Sequence, residues 1–198
     1  MPTQFITEGH PLWWAAMAHI KSVYRQAHQA EITDFAPEIV VATNANGAII
    51  CAAGLRTASD GFFSEAYLDA PIAETLSFIT DEELRADEVI EVVALASSQT
   101  CAALPMLDAI TAEGRRRGMR FGFFTATSRL RSILQRAKLP LIPLAPACGE
   151  RIRNARAWGH YYRTDPWVCA LPDSIKLPLT FCPRLARRLE DAASRGRL

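Results

Sequence analysis

Along residues 11–29 the apolar side chains Leu12, Met17, Ile20, Val23 and Tyr24 recur at helical spacing, with Lys21, Arg25 and Gln26 between them. A period near 3.6 residues predicts an amphipathic helix. Two β-rich runs follow, 38–43 and 48–55, joined by Asn44-Ala45-Asn46-Gly47. Asparagine and glycine take positive φ at low cost, so this link predicts a hairpin and an antiparallel pair. Residues 62–68 read as a third strand or an irregular segment, and Pro71 suits the first turn of a short helix reaching Phe78. The acidic stretch 80–87 reads as a solvated connection. Residues 89–96 are almost wholly apolar and β-branched at the start, the pattern of a strand covered on both faces and the candidate centre of the sheet.

The helical period returns over 102–117, where Leu104, Leu107, Ile110 and Thr111 line one face and Arg115-Arg116-Arg117-Gly118 forms a basic last turn with a glycine stop. A strand over 120–127, a helix over 129–137 stopped before Pro140, a run at 141–144, the aromatic segment Trp158-Gly-His-Tyr-Tyr162 and a strand over 167–171 complete the order. A strand, a long helix and a second apolar strand form a crossover unit, so those two strands are expected to be parallel. The expected fold class is therefore α/β: a mixed twisted sheet with antiparallel N-terminal strands, a central parallel crossover and helices on both faces.

The 198 residues suit one domain spanning 1–198, with a short Arg-rich tail at about 183–198. A content of 49% hydrophobic and 22% charged residues is that of a globular protein and excludes disordered or low-complexity classes. No apolar run reaches membrane-spanning length, and the N-terminal residues read as neither a leader nor an anchor, so a cytoplasmic location is expected. Cys51, Cys101, Cys148, Cys169 and Cys182 are odd in number, widely spaced and without ligand-spaced histidines, which disfavours a disulfide framework or a metal site. The net charge of +1 conceals an asymmetry. Residues 1–100 hold four basic and fourteen acidic residues, and the rest hold 18 basic and seven acidic. The basic half, centred on Arg115, Arg116, Arg117 and Arg120, reads either as solvated helix faces or as a surface for an anionic partner. Nucleic acid is the least suited partner, because no stacking motif accompanies the charge.

Glu91 is the most informative residue. In a regular strand it shares a face with Val89, Val93 and Leu95, while Ile90, Val92 and Ala94 face the other way. A carboxylate among apolar neighbours has a raised pKa and suits an amine anchor or general base; the alternatives are an uncovered edge or a structural pairing with Arg56. Arg56, at the end of the second hairpin strand, reads as an anion anchor, a Glu91 partner or a surface residue. Glu65, Asp69 and Glu74 surround Tyr67 and form a candidate site for a cationic or amino substrate, against the alternative of a solvated face. Cys101, at a helix start, is the one thiol placed for a lowered pKa, and His160 reads as a catalytic or a structural histidine. Nucleophile elbows, phosphate-binding loops and dinucleotide fingerprints are absent.

The segments Gly54-Leu-Arg56, Phe63-Ser-Glu-Ala-Tyr-Leu-Asp-Ala-Pro71, Glu91-Val-Val-Ala-Leu-Ala96, Phe124-Thr-Ala-Thr127 and Trp158-Gly-His-Tyr-Tyr162 resemble the bacterial thermostable hemolysin family over about residues 14–171. That family is similar to acyl-homoserine lactone synthases, which have the fold of the GNAT acyltransferases and move an acyl chain from an acyl carrier protein onto an amine. The resemblance implies a GNAT-like fold, with Arg56 and Glu91 matching the synthases' arginine and central-strand glutamate. Ala94 stands where the synthases carry an arginine, which argues against a homoserine-lactone product. The loop Ser97-Ser-Gln-Thr-Cys-Ala-Ala-Leu104 matches the coenzyme A loop of GNAT enzymes without its glycines.

The resemblance implies an N-acyltransferase, with an acyl carrier protein's acyl-phosphopantetheine or acyl-coenzyme A as co-substrate, no permanently bound cofactor, and a small amine or amino-acid-like acceptor. Glu91 and Arg56 are the expected catalytic pair; Thr125 and Thr127 are expected to line the acyl tunnel, Trp158 and Tyr161 the substrate site, and Ala96, Ser97, Ser98, Thr100 and Cys101 the donor loop. The basic half would receive an acidic carrier protein. The rival readings are a non-enzymatic membrane-active protein, using the helix around Leu12 or the tail from Pro183, and a GNAT-fold binding module without turnover.

Overall fold

The computed structural model describes residues 1–179. Cys182 and the Arg-rich tail from Pro183 lie outside the described residues. The chain order is β1 (Thr3–Thr7), α1 (Trp13–His28), β2 (Glu38–Thr43), β3 (Ile49–Arg56), α2 (Ile72–Thr80), β4 (Val89–Ser97), α3 (Ala103–Arg116), β5 (Phe121–Ala126), α4 (Ser128–Arg136), β6 (Ile142–Pro146) and β7 (Trp167–Pro172). Among the described residues seven strands form one sheet in the order β1-β2-β3-β4-β5-β7-β6. Only the central pair, β4 and β5, is parallel; every other neighbouring pair is antiparallel. The mixed α/β sheet and its parallel crossover agree with the sequence expectation.

Alternation along the strands splits the core between two faces. Val40, Leu55, Ile90, Val92 and Phe124 pack with Leu104, Leu107 and Leu134 from α3 and α4. On the opposite face Ile39, Val41 and Ala52 pack against Trp13, Ala16, Ile20 and Tyr24 of α1. Val89, Phe121 and Phe123 pack there against Ile72 and Leu76 of α2. Burying a side chain of this size stabilises by about 1.5–3 kcal/mol, offset by the entropy of ordering it.

The structure departs from the sequence expectation at β1 and in the alternation of β4, and it decides the open reading of residues 62–68 in favour of the irregular segment. The edge strand β1 is absent from the expected order, because Thr-Gln-Phe-Ile-Thr carries one fully buried side chain, Ile6, and a five-residue edge strand leaves little apolar signal. Residues 62–68 form no strand; a 3₁₀ turn occupies Ser64–Tyr67, with the Phe63 and Ser64 amides bonded to a side chain instead of a neighbouring strand. The alternation of β4 also breaks. Ala52 pairs with Ala96 but Gly54 with Val93, so β4 carries one extra residue, and Ala94 takes a φ of 51°. Leu95 therefore joins Ile90 and Val92 on the α3 face, away from Glu91.

Charge asymmetry along the sequence resolves largely within the fold. Arg117 binds Glu38 through two hydrogen bonds of 2.6 and 2.7 Å and also reaches Glu113, Arg151 binds Asp69 at 2.7 Å, and Arg120 pairs with Glu82. Arg116 pairs with Glu113, and Arg115 donates to the Asp173 carbonyl at 2.7 Å. Of the arginines expected to centre a basic docking surface, Arg117 and Arg120 thus tie the two halves of the chain together, while Arg115 and Arg116 bond within the second half. The exposed basic residues Arg129, Arg136 and Lys138 lie on α4 and just beyond it.

Candidate active site

The sheet opens where β4 and β5 separate. Their ladder runs from Val89 opposite Phe121 to Val92 opposite Phe124 and stops there, just before the bulge at Ala94. A cavity of about 580 Å³ passes through the opening. Its walls come from both faces of the sheet, with Leu107 and Ile133 on one side and Tyr24, His28 and Tyr161 on the other, and with Thr125 and Thr127 at the β5 end. A second cavity of about 260 Å³ lies among the 31–36 segment, Arg56, Phe63 and Trp158. A pocket of about 20 Å³ lies between them, bounded by Ser64, Tyr67, Thr125 and Trp158. Ala94 borders all three spaces.

The aromatic wall is assembled by the segment around Trp158, which docks on the end of α1. The Ala157 carbonyl accepts from the Glu31 amide at 2.6 Å, and the His160 amide donates to the His28 carbonyl at 2.7 Å. Gly159, at φ 54°, permits this approach: a Cβ there would lie 2.3 Å from the His28 carbonyl oxygen. Tyr161 meets His28 edge-on at 5.2 Å and Trp158 at 5.2 Å, while Trp158 lies 5.5 Å from Phe63. Burial pushes the phenols of Tyr24 and Tyr161 well above their ordinary values and lowers His28, so these groups face the cavity uncharged at neutral pH.

Glu91 is fully buried. Its Oε2 accepts from the Phe63 amide and its Oε1 from the Ser64 amide, both at 2.7 Å. Burial raises its pKa, while the Ser64 and Phe63 hydrogen bonds and the Arg56 charge oppose the rise. Arg56 is its cross-strand partner in the ladder, yet the guanidinium turns away: Nη2 reaches Asp34 at 3.3 Å and Nη1 the Asp60 carbonyl at 3.4 Å, with Nε buried and without a partner. Neither the edge position nor a direct ion pair describes Glu91. Backbone amides hold its carboxylate, and Arg56 stands in the wall of the smaller cavity.

Other expected site residues divide. Thr125, Thr127, Tyr67, Trp158 and Tyr161 border these spaces. Glu65, Asp69 and Glu74 do not converge on them: Glu65 accepts from the Ile72 amide at the start of α2, Asp69 pairs with Arg151, and Glu74 is exposed. In the donor loop, Ser97 borders the large cavity. Ala96 packs towards α1, Ser98 is bonded to the Ile50 carbonyl, Thr100 and Cys101 lie in the 3₁₀ turn Thr100–Ala102, and the Ala102 amide is spent on Gln99. Sequence reasoning missed Ser64, Tyr24, His28 and Asp34 as wall residues; of these only Ser64 lies in a segment singled out in the sequence, the 63–71 motif. Among the described residues no cluster of His, Cys, Asp and Glu suits a metal ion, and no helix is long and apolar enough to cross a membrane.

The fold is similar to that of several solved acyl-transfer proteins. The AHL synthase LasI matches with a TM-score of 0.61 at 10% identity, covering 88% of this chain and 91% of that one. FeeM, an N-acyl amino acid synthase from uncultured soil microbes, matches at 0.57 and 11%, covering 87% and 92%. MesI, a CoA-dependent acyl-homoserine lactone synthase, matches at 0.51 and 13%, covering 96% and 95%. No curated protein matches the chain in sequence. The sequence pattern of the family described as thermostable hemolysin matches residues 6–174, so the chain belongs to that family.

Proposed function

We propose that this protein is an N-acyltransferase that moves an acyl group from a thioester of coenzyme A or of an acyl carrier protein to a small amine. The observation that carries the reading is the opening between β4 and β5, with a large cavity crossing the sheet, a smaller one with Asp34 and Arg56 in its wall beside it, and a narrow pocket between them. The large cavity suits an acyl-pantetheine chain, with Ser97 and Arg129 in its wall and the exposed cations Arg129 and Arg136, at the two ends of α4, available to an acidic carrier protein. The smaller cavity suits the amine. Its wall holds the Arg56 guanidinium for an anionic group and Asp34 for a cationic one, with Phe63 and Trp158 for apolar parts, which favours an amino-acid-like acceptor. Direct attack by the amine on the thioester requires no protein nucleophile. Solved proteins of the same fold that carry out acyl transfer to amino compounds support the class of reaction.

The test is release of thiol from octanoyl-coenzyme A and octanoyl carrier protein in the presence and absence of a mixture of standard amino acids and simple amines. Amine-dependent release with a matching amide mass is expected. Absence of amine-dependent release from both donors would contradict the proposal, and leakage of dye from lipid vesicles by the same preparation would favour a membrane-active role instead.

A further inference from the structure

The Glu91 carboxylate borders none of the three spaces, and both of its oxygens are taken by backbone amides. A substrate in the opening therefore does not touch it. The connection runs through two hydroxyls. Ser64, 1% exposed, holds Glu91 Oε1 with its amide, and its Oγ lies 2.9 Å from Thr125 Oγ1 in a hydrogen bond that either atom can donate. Thr125 borders both the large cavity and the narrow pocket. It is the first residue of β5 beyond the ladder with β4, yet β7 still holds it through Val168, and its carbonyl accepts from Tyr161. Its backbone is thus fixed, and its side chain stands at the open edge.

We propose that Ser64 and Thr125 form a two-hydroxyl relay that carries a proton from the attacking amine to Glu91. The inference rests on the acyl-transfer reading above. An amine entering as its ammonium form gives one N–H proton to Thr125 Oγ1, Thr125 passes its own to Ser64 Oγ, and Ser64 passes its own to the Glu91 carboxylate, which becomes neutral. The freed nitrogen lone pair attacks the thioester carbonyl and the C–N bond forms. As the C–S bond breaks, sulfur takes its electron pair and the second N–H proton, leaving an amide and a thiol. The proton on Glu91 returns through the same hydroxyls to water in the cavity.

Two observations support this direction of transfer. Ser64 Oγ belongs to the residue whose amide holds Glu91 Oε1 at 2.7 Å, which sets the hydroxyl beside the carboxylate, and it favours the ionised, proton-accepting form against the burial that raises the pKa. The neighbouring ionisable groups are poor substitutes: Arg56 turns its guanidinium to Asp34 and carries no removable proton under ordinary conditions, and the Tyr67 phenol is engaged with Tyr162 at 2.7 Å and pushed up by burial. Thr125 and Ser64 act here as proton carriers; Ser64 also anchors Glu91 through its backbone, a role that side-chain substitution leaves in place.

The test compares the native chain with Thr125→Val, Thr125→Ser and Ser64→Ala, using both octanoyl-coenzyme A and octanoyl carrier protein with the mixture of amino acids and simple amines, and with kcat, KM and the pH profile as readouts. Loss of the hydroxyl in Thr125→Val or Ser64→Ala is expected to lower kcat by about 10²-fold, in the range of general acid–base contributions. KM is expected to change little, and the acid limb of the profile to disappear. Thr125→Ser, which keeps the hydroxyl, is expected to restore both. Native kcat and an intact acid limb in Thr125→Val would overturn the relay while leaving acyl transfer standing, as would a change in KM alone. Absence of turnover in the native chain would overturn the acyl-transfer reading and the relay with it.

Discussion

Replacing Glu91 by glutamine is expected to weaken the fold and to abolish most turnover. Both carboxylate oxygens accept a backbone N–H at 2.7 Å in a fully buried place. Glutamine supplies one oxygen and one NH₂ group, so one of the Phe63 and Ser64 amides would face a donor instead of an acceptor. An unsatisfied buried amide costs about 1–3 kcal/mol, and for a chain of this size each kcal/mol lowers Tm by about 2–4 °C. Turnover is expected to fall by about 10²–10⁴-fold, as for loss of a general base. The pH dependence follows from the raised pKa. Folding favours protonated Glu91, so its contribution to stability is full below the ordinary glutamate value and is lost as pH rises through the raised one. In Glu91→Gln that pH-dependent loss is absent. Thermal melts across this range, paired with the thiol-release assay, check both effects; native stability and native turnover in the variant would contradict the role of Glu91.

Ala94→Val is expected to close the route across the sheet. Ala94 sits at φ 51°, where a β-branched side chain is strongly disfavoured, and borders all three spaces. The left-handed conformation costs an L-residue about 1–2 kcal/mol. Valine either carries that cost and places two methyl groups in the passage, or relaxes the bulge and moves β4 against its partners. Displacing a reacting group by about 1 Å can lower the rate by about 10²-fold, and a fall of that order is expected in kcat. Ala94→Gly relieves the strain without filling space and is expected to retain turnover with stability at or above the native level. Full activity in Ala94→Val would show that the passage does not carry substrate.

The helices and inner strands were legible because each buries a regular apolar stripe. The pattern of α3 ends in its basic turn and Gly118, and β4 reads as a doubly covered strand. The features that make the site were not legible for the opposite reason: they are departures from regularity. Nothing in Val92-Val93-Ala94-Leu95 announces an extra residue in the ladder, since the bulge is dictated by pairing with the distant Ala52 and Gly54. Gly54 itself is explained only by the structure, where a Cβ would lie 2.7 Å from Val93 and 2.8 Å from Ala36. Glu91 stood out as a charge in an apolar run, but its partners are backbone amides 28 and 27 residues away, which carry no side-chain signature. The acidic residues Glu65, Asp69 and Glu74 looked like a cluster because they are close in sequence; a turn and a helix start send them to separate tasks. Part of the charge asymmetry is internal for a similar reason, because a basic segment and an acidic one are complementary when the fold brings them together.

The most direct measurement is a crystal structure of the protein with a non-reactive thioether analogue of octanoyl-coenzyme A. The account predicts the pantetheine arm running into the opening between β4 and β5, with the sulfur beside Ala94 and Thr125 and the acyl chain among Leu107, Phe124 and Ile133. An analogue bound on an outer surface, or a ladder between β4 and β5 closed beyond Val92 and Phe124, would contradict it.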